Sequence, residues 1–164
     1  MSRELTKECL QDWIVKELTK QHATITCAES CTGGLIAGAI IDSPGASAVF
    51  NESYVTYANE SKMGLLGVRE ETLERFGAVS EECAREMAYG AAKRAGADVA
   101  ICSTGIAGPD GGTPEKPVGL VYISCFYRDK VVVEKLNLSG SRSEIRRGAV
   151  DLALELVKKC ITSI

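Results

Sequence analysis

A three-layer α/β/α domain built on a mixed sheet is the fold that the sequence predicts, and three observations predict it. Amphipathic helical stretches alternate with short apolar runs through the first part of the chain, the pattern of parallel strands joined by helices. Two longer apolar runs, VGLVYISCFY and KVVVEKLNL, then flank the polar joint Arg128-Asp129-Lys130, as expected of an antiparallel hairpin. The chain has 164 residues, 45% of them hydrophobic and 25% charged, which suits a single domain over 1–164 with a sizeable core.

Each element has its own signal. Residues 3–21 set Leu10, Ile14 and Leu18 at four-residue spacing beside Trp13, a helix with one buried face. Residues 23–28, ATITCA, read as a short buried strand. Gly33 and Gly34 open a second helix, LIAGAIID, which Ser43-Pro44-Gly45 ends because proline disfavours helix in the residue before it. AVFNESYVTY, residues 48–57, alternates as a strand, and Asn59 or Ser61 caps a short helix holding Lys62, Leu65 and Leu66. Glu70 to Phe76 is a further short helix. Ser80 caps EECAREMAYGAAKRAG, whose two glutamates suit the helix dipole and whose alanines allow close packing on a sheet. DVAICST is a strand, and the last helix carries Ile145, Ala149, Leu152, Leu156 and Cys160 on one face. The stretch Gly105 to Pro117, GIAGPDGGTPEKP, is a long irregular loop directly after a strand, the kind that carries function.

Composition excludes several functions. A net charge of −3 with 5% aromatic residues offers neither a basic stripe nor stacking platforms, so no nucleic-acid partner is expected. No apolar run approaches the roughly 20 residues that cross a bilayer, and the first residues lack the apolar core of a signal peptide. The expectation is a cytoplasmic protein with no membrane partner. Seven cysteines contain no C-x-x-C pair, so structural thiols are expected, with Cys31 the exception because a helix start lowers a thiol pKa.

The chemistry concentrates in TCAESCTGGLIAG, residues 26–38. Ser30 is either an N-cap or a nucleophile. With His22 the single histidine, placed at the end of the first helix, a zinc site built on several histidines is excluded, and a Ser-His-Asp triad is not expected unless a partner subunit supplies His22. If Ser30 is a nucleophile, the candidate base is Lys62, whose charged form is disfavoured near a helix start, with Tyr57 near enough in sequence to relay or orient. Its alternative is a solvated surface lysine. Amides around Thr32, Gly33 and Gly34 are placed to bind an anion, a phosphate or the oxyanion of acyl transfer. Thr104 with Gly105, Gly108, Gly111 and Gly112 forms a second wall, since glycines let a backbone approach a ligand closely. Arg142, Arg146 and Arg147 crowd the start of the last helix, which calls for an anion: a bound phosphate, or a carboxylate such as Glu144. Neither G-x-G-x-x-G nor G-x-x-x-x-G-K-[ST] occurs, so nucleoside triphosphates are not indicated.

Five stretches together resemble the C-terminal domain of the competence-damage-inducible CinA family: AESCTGG (28–34), PGAS (44–47), TYANESKMGLLGV (56–68), GAVSEECAREMA (77–88) and STGIAGPDGGTPEKPVGLVYI (103–123). Stand-alone members of that family are nicotinamide-nucleotide amidohydrolases. The resemblance implies a three-layer α/β fold and deamidation of a small pyridine nucleotide, nicotinamide mononucleotide, to nicotinic acid mononucleotide and ammonia. No metal and no cofactor are implied. It also implies a homo-oligomer, for which the Ala-rich helix offers a surface. It places the nucleophile at Ser30, the base at Lys62 with Tyr57, a partner for the amide or the base at Thr104, and a phosphate-binding element at Gly140, Arg142 and Arg146. Ser141 departs from the aspartate that many relatives carry there, which leaves the orientation of Arg142 open. The alternative from another class is a catalytically silent nucleotide-binding or regulatory module of the same family.

Overall fold

The computed structural model of the chain describes residues 8–163. Its strands are β1 (Ile25–Glu29), β2 (Tyr54–Val55), β3 (Val99–Gly105), β4 (Leu120–Tyr127) and β5 (Lys130–Asn137), joined in one sheet in the order β2-β1-β3-β4-β5. β1 is parallel to β2 and β3, and β4 is antiparallel to both β3 and β5. The helices are α1 (Leu10–Gln21), α2 (Leu35–Ile41), α3 (Asn59–Leu66), α4 (Glu70–Phe76), α5 (Glu81–Ala95) and α6 (Arg142–Thr162).

The sheet is mixed and covered on both faces, as the sequence predicts. Strand residues alternate in direction, so Ile25, Cys27, Val99 and Ile101 enter the core shared with α1, α2 and α6. Ala28, Ala100 and Cys102 point the other way, into the core beneath α5. Because both faces are covered, β1 and nearly all of β3 are buried, which is why they read as continuous apolar runs. The residues of β1 and β3 that face α5 are small, and so are Ala84, Ala88, Ala91 and Ala92 of that helix, all buried. Small side chains on both surfaces let the helix lie close to the sheet. The alanine face expected to serve a partner subunit is therefore used inside the chain.

Most boundaries follow local chemistry. Ser80 caps α5 by accepting from Cys83 N at 3.2 Å. Ser141 caps α6 in a reciprocal box, accepting from Glu144 N at 3.2 Å while Glu144 accepts from Ser141 N at 2.7 Å. The hairpin turn holds Arg128 and Asp129 at φ 51° and 59°, the left-handed pair whose twist matches that of the strands.

Three expectations shift. The helix expected over residues 3–21 begins at Leu10 after an extended Cys9, and residues 3–7 lie outside the described residues. The strand expected over residues 48–57 shrinks to Tyr54–Val55, with one isolated bridge between Phe50 and Ile25. Polar Asn51 and Glu52 interrupt it, and Thr26 Oγ1 donates to Glu52 O at 2.7 Å, where a ladder bond would run in a regular strand. α3 starts one residue earlier than a side-chain cap allows: Ala58 is its N-cap, so Asn59 and Ser61 are already helical.

α3 is seated by a glycine. A Cβ on Gly90 of α5 would stand 1.7 Å from the Leu66 carbonyl oxygen, so the end of α3 lies directly on the α5 backbone. Gly90→Ala must push α3 outward, and we expect a loss of about 1–3 kcal/mol in denaturant unfolding, typical of overpacking. Wild-type stability in that variant would mean that α3 is free to move.

Candidate functional site

Parallel strands bring their carboxyl ends to one edge of the sheet, and β1, β2 and β3 do so here. Ser30 follows β1, Thr56 and Tyr57 follow β2, and Thr104 and Gly105 end β3. Two backbone bonds extend the ladder past the strands, Ser30 N to Ser103 O at 3.0 Å and Thr56 N to Glu29 O at 2.9 Å. These bonds fix the three segments beside one another. A cavity of about 220 Å³ opens between them, and Ser30, Tyr57, Lys62, Thr104, Gly105 and Arg142 are among its walls. A larger hollow of about 590 Å³ lies around His22 and Arg128. It holds neither Ser30 nor Lys62.

Lys62 is the largest surprise of burial, at 1% exposure. Its Nζ lies 3.1 Å from Ser30 Oγ, 2.8 Å from Thr56 O and 3.1 Å from Tyr57 O. Among the described residues no carboxylate reaches it within salt-bridge distance, so burial pushes its pKa down, with nearby Cys83, Cys102 and Cys31 opposing that shift. All three partners are oxygens within donor reach of Nζ. In the neutral form that burial favours, two N–H groups serve the carbonyls and the lone pair faces the Ser30 hydroxyl. Desolvation, more than the helix dipole expected from sequence, is what favours that form.

Ser30 does not cap α2. Gly34 is the N-cap residue, with no side-chain bond, and the carboxylate of Glu29 reaches the helix start instead. Glu29 Oε2 accepts from Thr32 Oγ1 at 2.6 Å, Gly34 N at 3.1 Å and Ile36 N at 3.0 Å, and Oε1 accepts from Ala37 N at 2.8 Å. This arrangement corrects the expected anion site. Gly34 N is committed to Glu29, Gly33 N bonds Ser30 O at 3.1 Å, and Thr32 is fully buried with its hydroxyl also 2.6 Å from Ser103 Oγ. Among the described residues, the amides of Cys31 and Thr32 are the ones after Ser30 without an acceptor.

Tyr57 serves Lys62 through its backbone carbonyl. Its ring is 62% exposed, and its hydroxyl accepts from Arg142 at 3.2 Å. Arg142 also donates to Gly108 O at 2.7 Å, which ties the glycine loop to the rim of the cavity. Arg146 sits behind the turn, donating to Cys31 O at 2.9 Å and Thr32 O at 3.0 Å. Neither arginine is paired with Glu144, whose carboxylate caps α6. Thr104 is buried and donates to Ala78 O at 2.8 Å from the cavity wall.

Gly105 and Gly108 are required by close packing within the chain. A Cβ at Gly105 would come within 2.6 Å of Val121 Cγ2, and one at Gly108 within 2.5 Å of Val118 Cγ1. Cys31 is no activated thiol: burial pushes its pKa up to about 11, against the lowering expected at a helix start. His22, the left-handed C-cap of α1, stands at the opposite end of β1, about 16 Å or more away at the usual strand rise. Sequence reasoning missed Glu29. Its only signal in the sequence was a carboxylate directly after the apolar run ATITCA.

Fold and site together define an α/β protein with a buried serine–lysine pair at the carboxyl ends of three parallel strands. The chain belongs to the CinA C-terminal domain family, whose model matches residues 7–161. It is 52% identical over 155 residues to a CinA-like protein of Kosmotoga olearia, a match that covers 94% of this chain and 38% of that protein. The chain thus spans well under half the length of such curated relatives. Solved structures agree over nearly their whole length. The competence/damage inducible protein CihA of Agrobacterium tumefaciens superposes with a TM-score of 0.91 at 44% identity, covering 93% of this chain and 94% of that one. A CinA superfamily protein of Escherichia coli gives 0.89 at 33% identity, covering 97% and 92%. Among the described residues no helix is long and apolar enough to cross a membrane.

The depressed Lys62 pKa has a measurable sign. The unfolded chain holds that proton up to the ordinary value of 10.5, so raising pH towards 10.5 stabilises the fold through this residue. Thermal unfolding at neutral pH and at about pH 10 should show wild type gaining on Lys62→Met. A difference that does not change with pH would place the amine at its ordinary pKa.

Proposed function

We propose that this protein is an amidohydrolase that converts nicotinamide mononucleotide and water to nicotinic acid mononucleotide and ammonia. The observation that carries the reading is the buried Lys62 Nζ at 3.1 Å from Ser30 Oγ, with two carbonyls on its remaining side. Serine is a weak nucleophile at its ordinary pKa, and an adjacent neutral amine is one of the few groups that can take its proton.

In this mechanism Ser30 Oγ bonds to the carboxamide carbon while its proton moves to Lys62 Nζ. The carbonyl oxygen becomes an oxyanion and is held by the amides of Cys31 and Thr32, which replace the Gly33 and Gly34 amides expected from sequence. Lys62 returns the proton to the nitrogen as the C–N bond breaks and ammonia leaves. Water then attacks the acyl-serine as Lys62 takes its proton, and the amine returns that proton to Ser30 Oγ as the acyl–oxygen bond breaks and the acid is released. Thr104, on the cavity wall, faces the same pocket as a partner for the carboxamide.

The cavity is smaller than the usual 300–1,000 Å³ of a drug-sized site, which suits a pyridine ring, with ribose and phosphate lying outside. The phosphate falls to Arg142, which is exposed and stands among the cavity walls beside Tyr57, whereas Arg146 lies behind the Ser30 turn. The chain's partner is then a small anionic nucleotide, and we extend to it the cytoplasmic setting and homo-oligomeric assembly expected from its sequence.

Two measurements test this. Ser30→Ala and Lys62→Met should each lower ammonia release from nicotinamide mononucleotide by about a thousandfold or more while remaining folded, as for other members of nucleophile and base pairs. Normal release by folded Ser30→Ala would defeat the mechanism. In wild type, kcat/KM should rise with pH through the apparent pKa of Lys62, which lies below 10.5, because the free base is the active form. A rate that falls over that range would exclude Lys62 as the base.

A further inference from the structure

Glu29 has no role in the proposed mechanism, yet among the described residues it is the buried ionisable side chain with the most hydrogen bonds. At 1% exposure its carboxylate accepts four hydrogen bonds, three from backbone amides of residues 34, 36 and 37 and one from Thr32 Oγ1. A buried carboxylate is tolerated where donors replace water, and these four do so without a cation. Glycine-rich turns before a helix are often open to an external phosphate. Here the chain supplies its own anion, so a substrate phosphate cannot enter.

The consequence reaches Ser30, the next residue. Glu29 is anchored in the ladder by its backbone and clamps residues 32–37 by its side chain, so the turn at 30–33 is held at both ends. Thr32 Oγ1 adds a cross-link to β3 through Ser103 Oγ at 2.6 Å. The amides of Cys31 and Thr32 lie inside that clamp and are the ones it leaves without an acceptor.

We infer that Glu29 is a positioning residue: its carboxylate holds the Ser30 turn so that Ser30 Oγ meets Lys62 and the Cys31 and Thr32 amides stay open to the reacting oxygen. The inference rests on the amidohydrolase reading for its kinetic consequence, while the clamp itself stands on geometry. It assigns the hydroxyl of Thr32 to the same supporting role, while the backbone amide of that residue stays with the oxyanion.

The test compares the full-length chain with Glu29→Gln, which keeps the side chain's size but replaces one acceptor oxygen by a donor. The expected result is a fall in kcat of about tenfold or more for ammonia release from nicotinamide mononucleotide, with KM within about twofold of wild type. Hydrogen exchange measured by mass spectrometry should be faster in peptides covering residues 30–37 and unchanged in β3. A raised KM with kcat intact would make Glu29 a substrate contact and overturn the inference. Unchanged exchange across residues 30–37 would overturn it as well. Should Glu29→Gln fail to fold, Thr32→Val removes only the link from Glu29 to Ser103 and must give the same kcat-selective loss, at smaller size. Full activity in Thr32→Val would then overturn the proposal. If wild type itself releases no ammonia, the amidohydrolase reading fails, and the exchange pattern of Glu29→Gln alone decides whether the clamp exists.

Discussion

The parallel pairing of β1 with β2 on one side and β3 on the other is the constraint on which the rest of the site depends. Parallel strands end at the same edge, so Ser30, Thr56 and Thr104, which lie far apart in sequence, arrive side by side. The ladder continues one bond beyond the strands on each side of β1, through Ser30 N and Thr56 N. Those bonds set the turn after β1 and the segment before α3 with the accuracy of a sheet. β4 runs antiparallel to β3 and β5, so β5 also ends at this edge, and the segment after it brings Arg142 to the rim of the cavity.

Two ionisable side chains are buried at that edge, and the chain treats them in opposite ways. Glu29 receives four donors, so the charged form has every partner that water would have supplied. Lys62 receives two carbonyls and a hydroxyl and no carboxylate, so burial favours the neutral form. The contrast is useful chemically. A carboxylate with all its partners is inert and supports structure, whereas an amine with an available lone pair takes protons. The two groups also avoid neutralising each other: an ion pair between them would give Lys62 the charge-stabilising partner that this site withholds.

Close packing supports the same arrangement from outside. Gly90 lets α3 lie on α5, which carries Lys62 inwards, and small residues on the facing surfaces of β1, β3 and α5 keep that layer thin. Gly105 and Gly108 let the loop after β3 pass against Val121 and Val118, and Arg142 fastens that loop to the rim. The glycines of the loop thus shape the cavity through contacts within the chain. Ser141 supplies the capping oxygen at the start of α6, and Arg142 extends from the first turn that this cap secures.

The sequence by itself determined the order and kind of nearly all the elements, because apolar periodicity, caps and turn residues act locally: Ser80 and α5, the Arg128-Asp129 turn, and the faces of α1 and α6 followed from their neighbours in the chain. It also singled out Ser30 and Lys62, since one histidine at the wrong end of a helix leaves few bases for a serine. Only the tertiary structure decided how the groups at the site are shared. Gly33 and Gly34 lost their amides to Ser30 O and Glu29, Arg146 turned to the back of the Ser30 turn, and Tyr57 gave Lys62 its carbonyl while its hydroxyl met Arg142. The reason is physical: Tyr57 lies 85 residues from Arg142 in the chain and Cys31 lies 115 from Arg146, the local bonds compete for the same few amides and carbonyls, and a hydrogen bond is won or lost over a few tenths of an ångström that only the packed fold sets.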